Sequence, residues 1–352
     1  MKKFFATLVA AVIAAGSLGA CSKAPAKNSN LSIVTTIFPE YDWVMNVLGD
    51  NPAKADVTLL QDNGADLHSF QPTASDILKI SECDIFVYVG GESDEWVDDV
   101  LKEATNKNMV VVNLMDALGD SVKEEEVVEG MQEEEHDHEH EHDHDEEEHD
   151  HDHDEDHDED HDHEHEHHHE EGEIEYDEHV WLSLKNAAVL VNSISEAIQK
   201  IDSANASVYK ANAESYIAKL NALDAEYQTA VNNASVKTLL FGDRFPFRYL
   251  VDDYGLTYYA AFVGCSAESE ASFETITFLS QKTDELSLHA VLTIEGKDHK
   301  IAETIIANTA SKDQQILTMD SMQSVTAADI ANGTTYIGIM ESNLSVLKEA
   351  LK

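Results

Sequence analysis

At 352 residues, 42% of them apolar, the chain is long enough for two ordinary domains with cores of their own and has no fibrous character. A formal net charge of -48 excludes nucleic acid and anionic lipid as electrostatic partners and attracts cations, metal ions included. Half of that charge is local, because residues 133–171 consist of 15 histidines and 24 acidic residues and nothing else.

The chain opens with Lys2 and Lys3, an apolar stretch over 4–15 and then Leu18-Gly19-Ala20-Cys21. That stretch is too short to span a bilayer and has the layout of a secretory signal over 1–20. Its ending resembles a bacterial lipobox, which implies cleavage before Cys21 and a lipid on that thiol. Residues 21–30 form a polar linker, and no later segment is apolar and long enough for a transmembrane helix. The expected location is therefore extracytoplasmic, on a lipid anchor at the cell membrane.

Folding is expected to start near Leu31. Apolar runs at 31–38, 55–60, 84–89 and 109–114 read as strands, and helical patterns at 41–48, 75–80 and 94–104 lie between them. Strand and helix alternating in this way predict an α/β lobe with a mostly parallel sheet covered on both faces. The polar tract 133–171 has no apolar residue to bury and reads as an insertion in this lobe, 31–204, without a fold of its own. Helical spacing returns at 184–201, with Ser183 as N-cap. A Gly- and Pro-free helical pattern from 206 to 231 predicts a long rigid linking helix within 205–233. Strands at 237–241, 256–262, 290–294 and 315–319, with helices at 273–285 and 300–309, predict a second α/β lobe over 234–352. In such folds ligands bind outside the carboxyl ends of the strands, so the expected site is the cleft between the lobes.

Four short stretches end or follow strands where such a cleft would be lined. They are GADLHSFQPTASD at 64–76, DEHVWLS at 177–183, FGDRFPFRY at 241–249 and LTIEG at 292–296. Together with VTTIFP at 34–39 and in this order, they resemble the solute-binding proteins of bacterial zinc and manganese ABC importers, the cluster A-I metal-binding lipoproteins. The similarity runs from about Leu31 to the end of the chain, and a His-rich insertion before the second motif is typical of the zinc members. The resemblance implies one metal between the lobes with His68 and His179 as imidazole ligands and Glu295 as a carboxylate near the metal. Imidazole suits zinc.

The third stretch departs from the family pattern. Ten residues before Tyr254, where zinc members carry a histidine, stands Arg244, which stays protonated and cannot ligate. Two replacements stay open: Asp243 after a one-residue shift, or a site of His68, His179 and Glu295 completed by water or a histidine of the tract. Asp243 is narrowly preferred, because a fixed arginine charge beside a dication requires a carboxylate to offset it. With Asp243 the donor set is harder and resembles manganese sites, whereas the second set is compatible with zinc.

The tract favours zinc. His136, His138, His140, His142, His144, His149, His151, His153, His157, His161, His163, His165, His167, His168 and His169 hold imidazole at local concentrations on the order of mM, as a metal-collecting loop. Cys83 and Cys265 read as two small buried hydrophobes rather than as a disulfide or a metal pair.

The expectation is a monomeric binding protein that captures zinc, or alternatively manganese, and passes it to the membrane subunit of an ABC permease. An enzyme is not expected: outside the tract, whose alternating run is not helical in pattern, there is no His-Glu-x-x-His helix, and there is no base beside a nucleophile, although two His, one Glu and water also make up some hydrolase sites. ATP hydrolysis would belong to another subunit, since no phosphate-binding glycine loop occurs. A surface adhesin or metal-storage lipoprotein is the remaining class, resting on the anchor and the tract alone.

Overall fold

A computed structural model describes residues 30–132, 175–266, 270–296 and 298–352. The signal, Cys21 and the His-rich tract lie outside these residues.

The first lobe runs β1 (Ser32–Thr35), α1 (Phe38–Leu48), β2 (Asp56–Leu59), α2 (Ala74–Glu82), β3 (Ile85–Tyr88), α3 (Trp96–Glu103), β4 (Val110–Asn113), α4 (Leu114–Leu118) and α5 (Leu184–Ile201). Its strands are all parallel, in the order β2-β1-β3-β4. β1 and β3 are short apolar runs buried on both faces, which is what a parallel sheet under two helical layers selects. α5 begins at Ser183, whose hydroxyl accepts from the Asn186 N–H and so satisfies one of the free donors of the first turn.

The long helix α6 covers Ala206–Asn233 and measures about 42 Å at 1.5 Å per residue. Its buried stripe is Tyr209, Ala213, Tyr216, Leu220, Leu223, Tyr227 and Val231, spaced three or four apart. Tyrosine hydroxyls on that stripe fasten it to residues of both lobes: Tyr216 donates to Asp42 of α1 and Tyr227 to the Met340 carbonyl.

The second lobe runs β5 (Thr238–Phe245), α7 (Arg248–Tyr254), β6 (Thr257–Val263), α8 (Phe273–Glu285), β7 (Ala290–Thr293), α9 (Lys300–Asn308), β8 (Gln315–Thr318), α10 (Ala327–Ala331) and α11 (Tyr336–Ala350). The sheet order β6-β5-β7-β8 repeats that of the first lobe, strand for strand. Each lobe thus has a second strand at one edge, a first strand beside it, and third and fourth strands beyond.

The helix α11, which the sequence reading does not distinguish within the second lobe, packs back on the first. Tyr336 meets Trp43 of α1 edge to face at 5.2 Å and donates to the Trp181 carbonyl. One contiguous apolar core accordingly runs through α1, α5, α6 and α11. Two smaller clusters lie on the outer faces of the two sheets. Among the described residues no helix is long and apolar enough to cross a membrane.

Candidate metal centre in the cleft

The carboxyl ends of the strands face a cleft of about 890 Å³ whose lining includes His68, Ser93, Glu178 and Cys265. Five glutamates, Glu92, Glu95, Glu125, Glu175 and Glu178, give it an acidic wall. Gln132 and Glu175, the residues that flank the gap containing the His-rich tract, both line it.

His68 sits in a 3-10 turn, Leu67–Ser69, that follows β2 and is capped by Asp66 accepting from the His68 N–H. Its Nδ1 lies 2.8 Å from the Ser93 hydroxyl and 3.5 Å from the Glu178 carboxylate. Ser93 belongs to the turn after β3, where Gly91 at φ +82° passes so close to Glu178 that a Cβ there would meet its Oε1 at 2.4 Å. The Ser93 N–H donates to the same carboxylate at 2.7 Å. Burial, the neighbouring His179 and then the Arg244 charge hold the His68 pKa down to about 3, against the opposing pull of Asp66. The imidazole is therefore neutral across the physiological range, as a ligand must be.

His179 is fully buried and precedes a 3-10 turn, Val180–Leu182. Asp177 Oδ1 accepts from both the His179 N–H and its Nδ1, at 2.8 and 3.0 Å, which orients the ring and leaves Nε2 free. The segment is tied to the second lobe as well: the Asp177 carbonyl accepts from Tyr249 of α7, Trp181 donates to the Ser321 carbonyl, and Ser183 donates to Asp253.

The two free nitrogens point at one another, His68 Nε2 lying 3.3 Å from His179 Nε2. Two nitrogens bound to a tetrahedral zinc at about 2.0–2.1 Å are separated by about 3.3 Å, so the pair already has the edge length of such a site. His179 Nδ1 faces the Asp177 carboxylate and His68 Nδ1 faces the Ser93 hydroxyl and the Glu178 carboxylate, outer partners that favour the tautomer with its lone pair on Nε2.

The second lobe is arranged differently from the expectation. β5 continues to Phe245, with a break in register between Phe241 and Arg244, so Asp243 and Arg244 are strand residues at a bulge rather than part of a free loop. Asp243 turns onto backbone: its carboxylate accepts from the N–H groups of Arg244 and Ile294 at 2.9 and 3.2 Å. Arg244 reaches across the cleft instead, pairing with Asp66 at 2.7 Å and donating to the Ser266 carbonyl at 3.3 Å. Burial raises the Asp66 pKa, but the arginine overrides it and keeps the carboxyl below its ordinary value. The fixed charge is thus paired directly with Asp66, while Asp243 feels it without a direct bond to the guanidinium.

Glu295 follows β7 as expected, and its carboxylate is held by the loop after β8, accepting from the Ser321 N–H and hydroxyl, both at 2.7 Å, and from the Gln323 N–H at 3.1 Å. The same loop carries the Gln323 side chain, whose Nε2 lies 3.4 Å from His179 Nε2 while its Oε1 is buried without a partner. Among the described residues, the group of metal-ligating side chains that comes together is His68, His179 and Cys265, with one ligand atom from each inside 4.8 Å. Asp243 and Glu295 are not in it. Cys83 is a buried free thiol, as its apolar setting beside β3 suggests. Cys265 is also free but half-buried, and it stands beside the histidines rather than in a core. In the sequence Gly264-Cys265 follows the strand-like run 256–262 by one residue, which by itself does not mark a ligand.

Known proteins of similar sequence and shape carry the same architecture. The chain is 32% identical over 351 residues to the zinc-binding lipoprotein AdcA of Streptococcus pneumoniae (serotype 4), covering 99% of this chain and 61% of that protein. It spans about three fifths of the length of that relative. It is 29% identical over 340 residues to the high-affinity zinc uptake system protein ZnuA of Bacillus subtilis, covering 97% of this chain and 93% of the relative. The Zn(II)-bound ZnuA-like domain of the pneumococcal AdcA superposes with a TM-score of 0.64 at 25% identity, over 92% of this chain and 99% of the domain. The metal-dependent lipoprotein YcdH of Bacillus subtilis does so with a TM-score of 0.66 at 26% identity, over 91% and 99%. The family of the zinc-uptake complex component A, periplasmic, matches residues 33–350, and the chain belongs to that family.

Proposed function

We propose that this chain captures extracytoplasmic zinc in the cleft, with His68 and His179 as imidazole ligands and Glu295 supplying a carboxylate, and delivers it to the membrane subunit of an ABC permease. The observation that carries this reading is the pair of Nε2 atoms 3.3 Å apart, each on a ring whose Nδ1 is engaged on the outer side. A pair so fixed loses little freedom on binding and accepts a tetrahedral cation without rearrangement. The acidic wall raises the local cation concentration. Lipidation at Cys21 would keep the molecule beside its permease, and the fifteen histidines of the tract, tethered at the cleft lining, would feed it. The zinc-uptake family is one of binding components rather than enzymes.

The test is a competition titration of the full chain against a zinc chelator. Wild type is expected to hold one equivalent much more tightly than the rest, and His68→Ala or His179→Ala to lose that equivalent while the weaker ones remain. Retention of the tight equivalent in both variants would refute the reading.

A further inference from the structure

We propose that Cys265 joins His68, His179 and Glu295 as a protein ligand of the metal, its sulfur taking, as a thiolate, the place in the second lobe that Arg244 leaves without a donor. This rests on the reading of the cleft as the metal site and specifies how the second lobe completes it.

The topology puts the residue there. Both lobes have the same strand order, and in each the second strand ends at the cleft: β2 leads to His68, and β6 leads to Cys265. Between β6 and the cysteine stands Gly264, where a Cβ would meet His179 Cε1 at 2.9 Å, His179 Nδ1 at 3.1 Å and the Phe245 carbonyl at 3.0 Å. Only a residue without a side chain lets the end of β6 lie flat against the His179 ring. That approach carries the Cys265 sulfur to within 4.8 Å of a nitrogen on each histidine. A tetrahedral site with a Zn–N bond of about 2.0 Å and a Zn–S bond of about 2.3 Å needs nitrogen and sulfur about 3.6 Å apart, so the sulfur stands near the histidines and has to move in to bond the same ion.

A second feature stands at the same spot. Gln323 is more than nine-tenths buried, its Nε2 lies 3.4 Å from His179 Nε2, and the Oε1 of the same amide is buried without a partner, so an unsatisfied polar group sits beside the histidine pair. The alternatives in the second lobe are engaged elsewhere, Arg244 with Asp66 and Asp243 with two backbone N–H groups.

Coordination replaces the S–H proton by the metal. The Glu125 carboxylate, which is hydrogen-bonded to Cys265, is the adjacent acceptor, and the proton passes from there to solvent. A sulfur ligand also bears on the cargo: thiolate with two imidazoles favours zinc, and other soft or borderline ions such as cadmium, over manganese.

Cobalt(II) reports sulfur directly, because a thiolate–cobalt bond gives an intense near-ultraviolet charge-transfer band that imidazole and carboxylate do not. None of the chain's three cysteines lies within 133–171, so the His-rich tract cannot produce the band. Cobalt(II) titration of the full-length Cys21→Ser protein is expected to develop the band, Cys83→Ser to retain it, and Cys265→Ser to abolish it with normal folding by circular dichroism. Tight zinc binding in Cys265→Ser should weaken at least tenfold. No band in the Cys21→Ser protein, or a band that survives Cys265→Ser, overturns the proposal. A band that survives His68→Ala and His179→Ala together also overturns it, since the thiolate would then bind cobalt elsewhere. If those histidine variants lose the tight zinc equivalent while Cys265→Ser keeps it, the cleft reading stands and the thiolate ligand falls.

Discussion

The two halves of the cleft are built on the same strand order but prepared in different ways. In the first lobe both imidazoles are set in position by their own surroundings: Ser93 and Glu178 stand behind His68, and Asp177 behind His179, so the donor atoms face one point. In the second lobe the polar side chains are engaged with each other or with backbone, as Glu295 is with the Ser321–Gln323 loop and Asp243 with Arg244 and Ile294. Arg244 ties this half to the other through Asp66. A preset pair gives affinity, and a half held by exchangeable contacts gives a way to close on the ion and to release it. One core continuous through α1, α5, α6 and α11 restricts such motion to the cleft loops rather than to a swing of whole lobes.

The largest effect is expected where the preset pair is broken. His68→Ala or His179→Ala should weaken tight zinc binding at least a hundredfold, about 2.7 kcal/mol, by competition titration. Equal, small losses from either variant would mean that the two rings do not share an ion. Next comes the support behind one ring: Asp177→Ala should cost about tenfold in zinc affinity by freeing the His179 ring, with the fold intact by thermal melt. An affinity equal to wild type would show that the ring is held by packing alone.

Arg244→Ala removes the bond between the lobes and leaves Asp66 without its cation. Chemical denaturation of the metal-free protein should show a loss of about 1.5 kcal/mol, with zinc affinity changed far less than by the histidine variants. A loss of zinc affinity comparable to theirs would place the arginine's role at the metal.

The acids beneath the first half predict a pH signature. Burial, and then the Glu178 charge, raise the Asp94 pKa to about 7 from an ordinary 3.8, and its carboxylate accepts from the Gly90 N–H. Between those values the unfolded chain is ionised and the folded one is not, so Asp94 reduces stability as pH rises from 3.8 to about 7. Asp94→Asn lacks that ionisation and should gain on wild type by about 1 kcal/mol or more over the same interval, read from denaturation at several pH values. Parallel pH profiles would remove Asp94 from the account.

The smallest effect is expected at Asp243. Its carboxylate serves two backbone N–H groups, so Asp243→Ala should lower stability yet leave zinc affinity within about threefold, less than half the free energy of a tenfold change. A tenfold loss of affinity would restore it as a ligand and count against Cys265.

Much of this molecule is legible in one sequence because local physics repeats itself there. Helical spacing with a capping Ser gives α5 over Leu184–Ile201, and α8 also falls on 273–285. Short apolar runs between helices give all eight strands. The seven residues of α7 span only two turns, too few for a period to declare itself. The fifteen residues of α11 carry a Thr335 cap and a buried stripe but are not distinguished in the sequence, and nothing local says that Tyr336 packs on Trp43 of the other lobe. The same limit applies at the site. His68 and His179 stand in motifs that mark them, whereas Cys265 becomes visible only when β6 is placed beside β5 and Gly264 against His179. The setting of Asp243 is not legible either, because the strand-like run stops at Phe241 while β5 bulges and continues to Phe245, and the carboxylate accepts from two backbone N–H groups.

The central claim is that one zinc ion is held by two imidazoles of the first lobe and a donor of the second. Crystals grown with one equivalent of zinc, with anomalous differences measured at the zinc absorption edge, test it most directly. The account predicts a single strong peak about 2.0–2.1 Å from His68 Nε2 and His179 Nε2 and about 2.3 Å from Cys265 Sγ. A peak outside the cleft, or one beside the histidines whose shell is completed by Asp243 with Cys265 turned away, would contradict it.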